Sequence, residues 1–164
     1  MDNAIPQVFL DVSSKRLETM TRELKTCMGK LTDAQVWERH GAHENAVGNL
    51  VLHLCGNARQ WVISGVGGAD DVRTRDKEFS ADCGQTGAEL MEIFEKTMAE
   101  VRNEIVAVPA ERLTEIIHPQ GRTVTVLEAI YQVVTHVHQH VGQIILLTKQ
   151  MTGKDLDLTI PRPR

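Results

Sequence analysis

The sequence predicts an all-α fold: a four-helix bundle with a long crossover between its second and third helices and a short β-hairpin ahead of the fourth. Three observations predict it. Apolar residues recur at three- and four-residue steps in four separate stretches, most of them opened by a helix-start signal. Between the second and third stretches lies a connection of roughly twenty residues, long enough to let those helices run parallel where short loops would force neighbours antiparallel. Just before the last stretch the period shortens to two, in the run TVTV at residues 123–126.

The first helix follows Ile5-Pro6, a place where proline suits an opening turn. It carries Phe9, Val12, Leu17, Met20, Leu24, Cys27, Met28 and Leu31, and ends near Gly29. Thr32 to Gln35 is a capping box opening a single turn toward Trp37, and residues 39–45, with His40 and His43, read as connection. The second helix starts from Asn45 as N-cap and places Val47, Leu50, Val51, Leu54, Ala58, Trp61 and Val62 on one face. Gly65, Gly67 and Gly68 end it and begin the crossover. There Asp70, Asp71, Arg73, Arg75, Asp76, Lys77 and Glu78 mix both signs of charge, which reads as a solvated segment, although loops of this length are often functional.

The third helix opens with the capping box Thr86 to Glu89 and carries Leu90, Ile93, Phe94, Thr97, Val101, Ile105 and Val108 until Pro109. Ile116-Ile117 and Thr123 to Val126 flank Pro119 to Arg122, which predicts the hairpin, with His118 on its surface. Thr125 to Glu128 is a third capping box, and the last helix runs to about Thr152 with Gly153 at the C′ position. The polar tail, Lys154 to Arg164, is expected to lie extended, and residues 1–164 to form a single domain. Trp37 and Trp61 are expected to pack in the core or at its rim.

Composition narrows the function classes. A chain of 164 residues, 41 % hydrophobic and 24 % charged, can bury a core without disulfide staples. A formal charge of -4 and a pI near 6.0, with no lysine and arginine cluster on any one face, argue against a nucleic-acid partner. No run of about 18 apolar residues exists to span a membrane. Met1 to Val12 carries Asp2 and Asp11, so no secretory leader is expected. Cys27, Cys55 and Cys83 are an odd number at wide spacing, which suits free thiols in a reducing cytoplasm.

Chemistry concentrates in the last helix. Three of the seven histidines lie in HVHQH, residues 136–140. At about 100° per residue His136 and His140 stand one turn apart on one strip, with Gln132 and Gln143 beside them, while His138 points elsewhere. The strip borders the apolar arc of Ile130, Val133, Val137, Val141 and Ile144. Two imidazoles at i and i+4 can share a metal ion when another element supplies a further ligand. On the second helix His53 occupies a comparable edge, in company with Asn49, Asn57 and Gln60, whereas Cys55 points away from it. If the second and last helices are neighbours, His53, His136 and His140 can converge.

These segments resemble the DinB/YfiT-like family of metal-binding four-helix bundles over nearly the whole chain. The resemblance is carried by ENAVGNLVLHLCGNARQWV around His53, by the Arg73 to Phe79 segment, and above all by a histidine four residues before His-X-Gly-Gln in HVHQHVGQI. It implies an up-down-down-up bundle, a three-histidine metal site formed by His53, His136 and His140, and a homodimer. It also implies a metal-dependent activity on a small molecule. Related activities include bacillithiol- or mycothiol-dependent transferases and isomerases, and metal-dependent hydrolases. A non-catalytic metal-binding stress-response protein and a structural dimer module with a vestigial site are the alternatives.

Three imidazoles leave a coordination position open for exchange, and imidazole suits zinc, nickel, iron and copper; zinc or nickel is the divalent metal expected first. Asn49, Asn57, Gln132 and Gln143 are expected to line the site or orient its rings. Arg73 and Arg75 are placed to hold an anionic substrate at its mouth, against the plainer expectation that both are solvated. No carboxylate lies on either histidine strip, so no general base is assigned. That favours chemistry in which the metal activates the nucleophile, and a low-molecular-weight thiol as the substrate.

Overall fold

The structure is a computed structural model and describes residues 4–39, 41 and 43–158. Four long helices dominate it: α1 (Ala4–Met28), α3 (Val47–Ala58), α5 (Gly87–Ala107) and α6 (Val126–Thr152). The short α2 (Asp33–Val36) and α4 (Arg75–Ser80) sit in the connections around α3. The expected hairpin is present as β1 (Ile116–Ile117) paired antiparallel with β2 (Val124–Thr125). The all-α fold class therefore holds.

The helix starts follow from side-chain chemistry. Thr32, Thr86 and Thr125 each accept a bond from the backbone N–H three residues on, and Gln35, Glu89 and Glu128 reach back to the three threonine N–H groups. Each pair satisfies two donors that a helix start otherwise leaves open. At the far end of α6, Gly153 turns left-handed (φ 64°) and its N–H returns to Lys149 O, a conformation that costs other residues.

Packing follows the apolar stripes. α1 lies against α5 and α6, and α3 lies against the same two helices. Leu17, Leu24, Leu54, Phe94, Ile105, Ile130 and Ile144 are fully buried between them, each contributing roughly 1.5–3 kcal/mol of transfer free energy. The α3–α6 contact is the one that matters for the histidines. No helix among the described residues is long and apolar enough to cross a membrane.

Four expectations need correction. The N-cap of α3 is Ala46 rather than Asn45, because Asn49 Oδ1 accepts from Ala46 N–H at 3.1 Å and caps the turn from inside. After Ala58 the helix loosens into a π-helical stretch, Arg59–Ser64. The crossover is solvated at Asp70, Asp71, Arg75, Asp76 and Lys77 as expected, but Arg73 and Glu78 turn inward, and the segment forms α4 and is tied down from α3 and from residues that follow α2. Asn49 Nδ2 donates to Glu78 O (2.9 Å) and Ala81 O (2.7 Å), Arg39 to Phe79 O (3.1 Å) and Ala81 O (2.7 Å), and Trp37 Nε1 to Gln85 O (2.8 Å). The tail, finally, brings Leu156 back into the core. His40 and residues 159–164, where the extended tail was expected to continue, lie outside the described residues.

Candidate metal centre

The capping and packing just described bring α3 and α6 side by side, with His53 facing the His136–His140 strip. One ring nitrogen from each of the three histidines lies within 4.8 Å of the other two. The rings stand nearly perpendicular, with centroids 5.0 Å (His53–His136), 5.3 Å (His53–His140) and 4.5 Å (His136–His140) apart. His53 is buried, whereas His136 and His140 are half-buried at the surface of α6.

Hydrogen bonds settle which nitrogens face inward. His140 Nδ1 donates to Gln143 Oε1 at 2.6 Å, which leaves Nε2 as the lone-pair nitrogen. His53 Nδ1 donates to Glu78 Oε2 at 3.0 Å, and its Nε2 stands 2.9 Å from His136 Nε2. Arg73 Nη2 is also 3.1 Å from His53 Nδ1. A guanidinium can only donate, so a His53 that donates to Glu78 leaves Arg73 bonded to the carboxylate rather than to the ring. The Nε2 atoms of all three histidines are thus the inward set.

Electrostatics suit a cation. Burial, followed by the neighbouring His140, His53 and Arg73, pushes the His136 pKa down to about 4, and burial lowers His140 despite its bond to Gln143. Both rings are neutral near pH 7, the form in which imidazole ligates a metal. Burial alone would push the Glu78 carboxyl up, but hydrogen bonds from Arg73 and His53 outweigh it and hold the group below the usual carboxylate range. The donor set, three imidazoles of which His53 and His140 have their Nδ1 atoms held by Glu78 and Gln143, fits a divalent metal such as zinc or nickel.

The remaining expected site residues divide sharply. Gln143 Oε1 accepts from His140 Nδ1. Asn57 is buried near the base of the strip, and its Oδ1 has no hydrogen-bond partner. Gln132 is exposed on α6. Asn49 does not line the site, because its amide is consumed in holding the crossover and the first turn of α3. Arg73 is neither a solvated charge nor a substrate clamp. Its side chain is 5 % exposed and binds Glu78 through two parallel bonds, Nε to Oε1 (2.7 Å) and Nη2 to Oε2 (2.8 Å), with Nη1 on Gln60 Oε1 (2.8 Å). Arg75 is exposed and lies over the Phe79 ring, 4.8 Å from its centroid. Phe79 in turn packs its ring 4.7 Å from that of His53.

Glu78 is the residue that the sequence did not single out. The signal that points to it is Gly56, a glycine inside an apolar helix, three residues after His53. A Cβ built there would stand 1.9 Å from Glu78 Oε1 and 3.0 Å from Arg73 Nε, so glycine is what lets the buried ion pair reach α3. Among the described residues the cluster of possible metal ligands holds histidines and no cysteine. Cys55 is buried with its pKa pushed up to about 12 by burial, and Cys27 is likewise buried.

Comparison with known proteins places the fold. A conserved protein of Enterococcus faecalis has a similar structure, with a TM-score of 0.75 at 15 % identity over 88 % of this chain and 97 % of that one. A DinB-like protein from Bacillus cereus superposes with a TM-score of 0.67 at 18 % identity, over 87 % and 90 % of the two chains. Identities this low speak for the fold. No curated protein matches the chain. The family described as "Protein of unknown function (DUF1572)" matches residues 4–164, and the chain belongs to that family.

Proposed function

We propose that this protein is a metal-dependent enzyme that holds a divalent cation, zinc or nickel, on His53, His136 and His140 and acts on a small molecule, by thiol transfer in preference to hydrolysis. One observation carries the proposal: three inward nitrogens lie within 4.8 Å of one another, on rings of which two are half-buried. Such a set could hold an ion with one ligand from α3 and two from α6, and the half-buried α6 rings would leave it within reach of a guest. An ion there would supply Lewis acidity, drawing the pKa of a coordinating water or thiol toward neutrality.

Glu78 supports the choice of reaction. It is the carboxylate that touches the triad among the described contacts, and it does so at His53 Nδ1, on the far edge of the ring from the inward nitrogens. Locked to Arg73, it is not placed to take a proton from an incoming nucleophile, as a hydrolase base must. A thiol needs no such base, since coordination alone would generate its nucleophilic form.

The same proposal includes a single cytoplasmic domain with its long helices running up-down-down-up, an order supported by the length of the crossover between α3 and α5. It includes a homodimer as well. In support, Ile5, Val8 and Val12 of α1 and Tyr131 of α6 are exposed around a groove of about 410 Å³, an apolar face of the kind that marks association.

Loading with cobalt(II) tests the function. Adding a low-molecular-weight thiol should produce sulfur-to-cobalt charge-transfer absorption, and the loaded protein should then pass the thiol to an electrophilic acceptor. A spectrum indifferent to thiols would overturn thiol transfer. Absorption without turnover would instead assign the chain to metal or thiol binding.

A further inference from the structure

Resting on the three-histidine reading, we propose that Arg73 and Glu78, seated on Gly56, are positioning residues that fix His53 as a ligand and set the metal affinity of the site. Nothing along the α3 strip supplies this role, so the crossover must fold back to provide it. His53 is constrained in two independent ways. Glu78 Oε2 at 3.0 Å from Nδ1 fixes the rotation of the ring about its own axis, and Phe79, with its centroid 4.7 Å away, limits the tilt of its plane. Together they direct Nε2 toward α6, where His136 Nε2 stands at 2.9 Å.

The chain of contacts has no slack. Arg73 holds both oxygens of Glu78 and is itself braced by Gln60 Oε1 at 2.8 Å, while its backbone N–H bonds Asp71 Oδ1 at 3.1 Å. The Glu78 carbonyl is held by Asn49 at 2.9 Å, so backbone and side chain are fixed from opposite directions. A carboxylate accepting from the outer nitrogen of a metal-binding imidazole fixes its tautomer and raises its basicity as a ligand; loss of such a partner typically weakens metal binding about 10- to 100-fold. The α6 histidines have weaker support: a neutral, exposed amide for His140, and no Nδ1 partner for His136 among the described residues.

A purely structural ion pair would predict something different, and the two roles separate in the folded protein. Glu78→Gln keeps the shape of the side chain and an acceptor for His53 but removes the charge. Gly56→Ala touches no histidine, yet drives a methyl group into the Glu78 carboxyl. Zinc affinity should fall about 10- to 100-fold in each variant, and the visible spectrum of the cobalt-loaded protein should shift, with helical content by circular dichroism unchanged. Should Gly56→Ala fail to fold, Glu78→Gln carries the test alone. Affinity and cobalt spectrum equal to wild type in a folded Glu78→Gln would overturn the positioning role and leave the metal site standing. A wild-type protein that binds neither zinc nor cobalt would overturn the metal site itself.

Discussion

The two halves of the histidine cluster are built differently. On the α3 side a single ring is buried and held by a carboxylate, an arginine and a phenylalanine, all delivered by the crossover. On the α6 side two rings stand half-buried on one helix, with an exposed glutamine as the polar support for one of them. The difference teaches where rigidity and exchange are separated. The buried half costs an ion pair to make and defines the geometry, whereas the exposed half follows from helical spacing alone and leaves the approach open.

The sharpest way to break the contrast is to remove Arg73. Its loss would leave Glu78, whose side chain is 10 % exposed, as a buried carboxylate with the His53 Nδ1 hydrogen bond as its remaining side-chain contact. Breaking a buried pair from one side costs about 3–5 kcal/mol, and because His53 persists the low end is expected, about 3 kcal/mol for Arg73→Ala in chemical denaturation. A variant that unfolds at the wild-type midpoint would show that the pair is solvated and that the crossover does not depend on it. Next in size is Asn49→Ala, which strands the carbonyl of Glu78 and the N–H of Ala46 and leaves the Ala81 carbonyl to Arg39 alone. An expected loss of about 1–3 kcal/mol should be accompanied by faster amide exchange through residues 75–81; uniform exchange across the protein would count against a tether at this place.

How much of this was legible beforehand follows the same division. α6 announced itself because one period governs it throughout: the capping box at Thr125, the apolar arc, the i and i+4 histidines and Gly153 all agree. Its partner His53 was legible from its place on the edge of α3. The crossover was not, since its charges of both signs follow no helical or strand period, and such a segment reads as solvated until something buries it. What fixes it, and buries Glu78, is tertiary: Asn49, Arg39 and Trp37 reach its backbone from elsewhere. Asn49 reads as a site residue because it shares the His53 strip, yet an amide at N3 of a helix can reach back to cap, and here it does both capping and tethering while fully buried. The backbone signal that remained, Gly56, costs an apolar helix roughly 1 kcal/mol relative to alanine, which is a reason to ask what approaches it.

On the α6 side acid provides the corresponding probe. His136 has its pKa depressed from the ordinary 6.5 to about 4, so below pH 6.5 the unfolded chain takes up a proton that the folded one resists. Stability contributed by the neutral ring is therefore complete above pH 6.5 and is lost progressively as the pH falls toward 4. With solvent screening of a half-exposed ring allowed for, the loss should be about 1–2 kcal/mol. Denaturation of the metal-free protein between pH 7 and 4 checks it. His136→Gln should flatten that part of the profile, and an unchanged slope would move the responsible group elsewhere.

Gln143→Ala should have the smallest effect and sharpens the comparison most directly. The bond from His140 Nδ1 to Gln143 Oε1 is short, 2.6 Å, but it lies at the surface, where water can replace the amide as acceptor. A net hydrogen bond contributes about 0.5–1.5 kcal/mol, and the low end of that range corresponds to a two- to threefold change in zinc affinity. If the α3 half defines the geometry, this change must be smaller than that produced by Glu78→Gln, at equal helical content. A loss for Gln143→Ala as large as that for Glu78→Gln would mean that the exposed rings need as much restraint as the buried one, and the separation of rigidity from exchange would not hold.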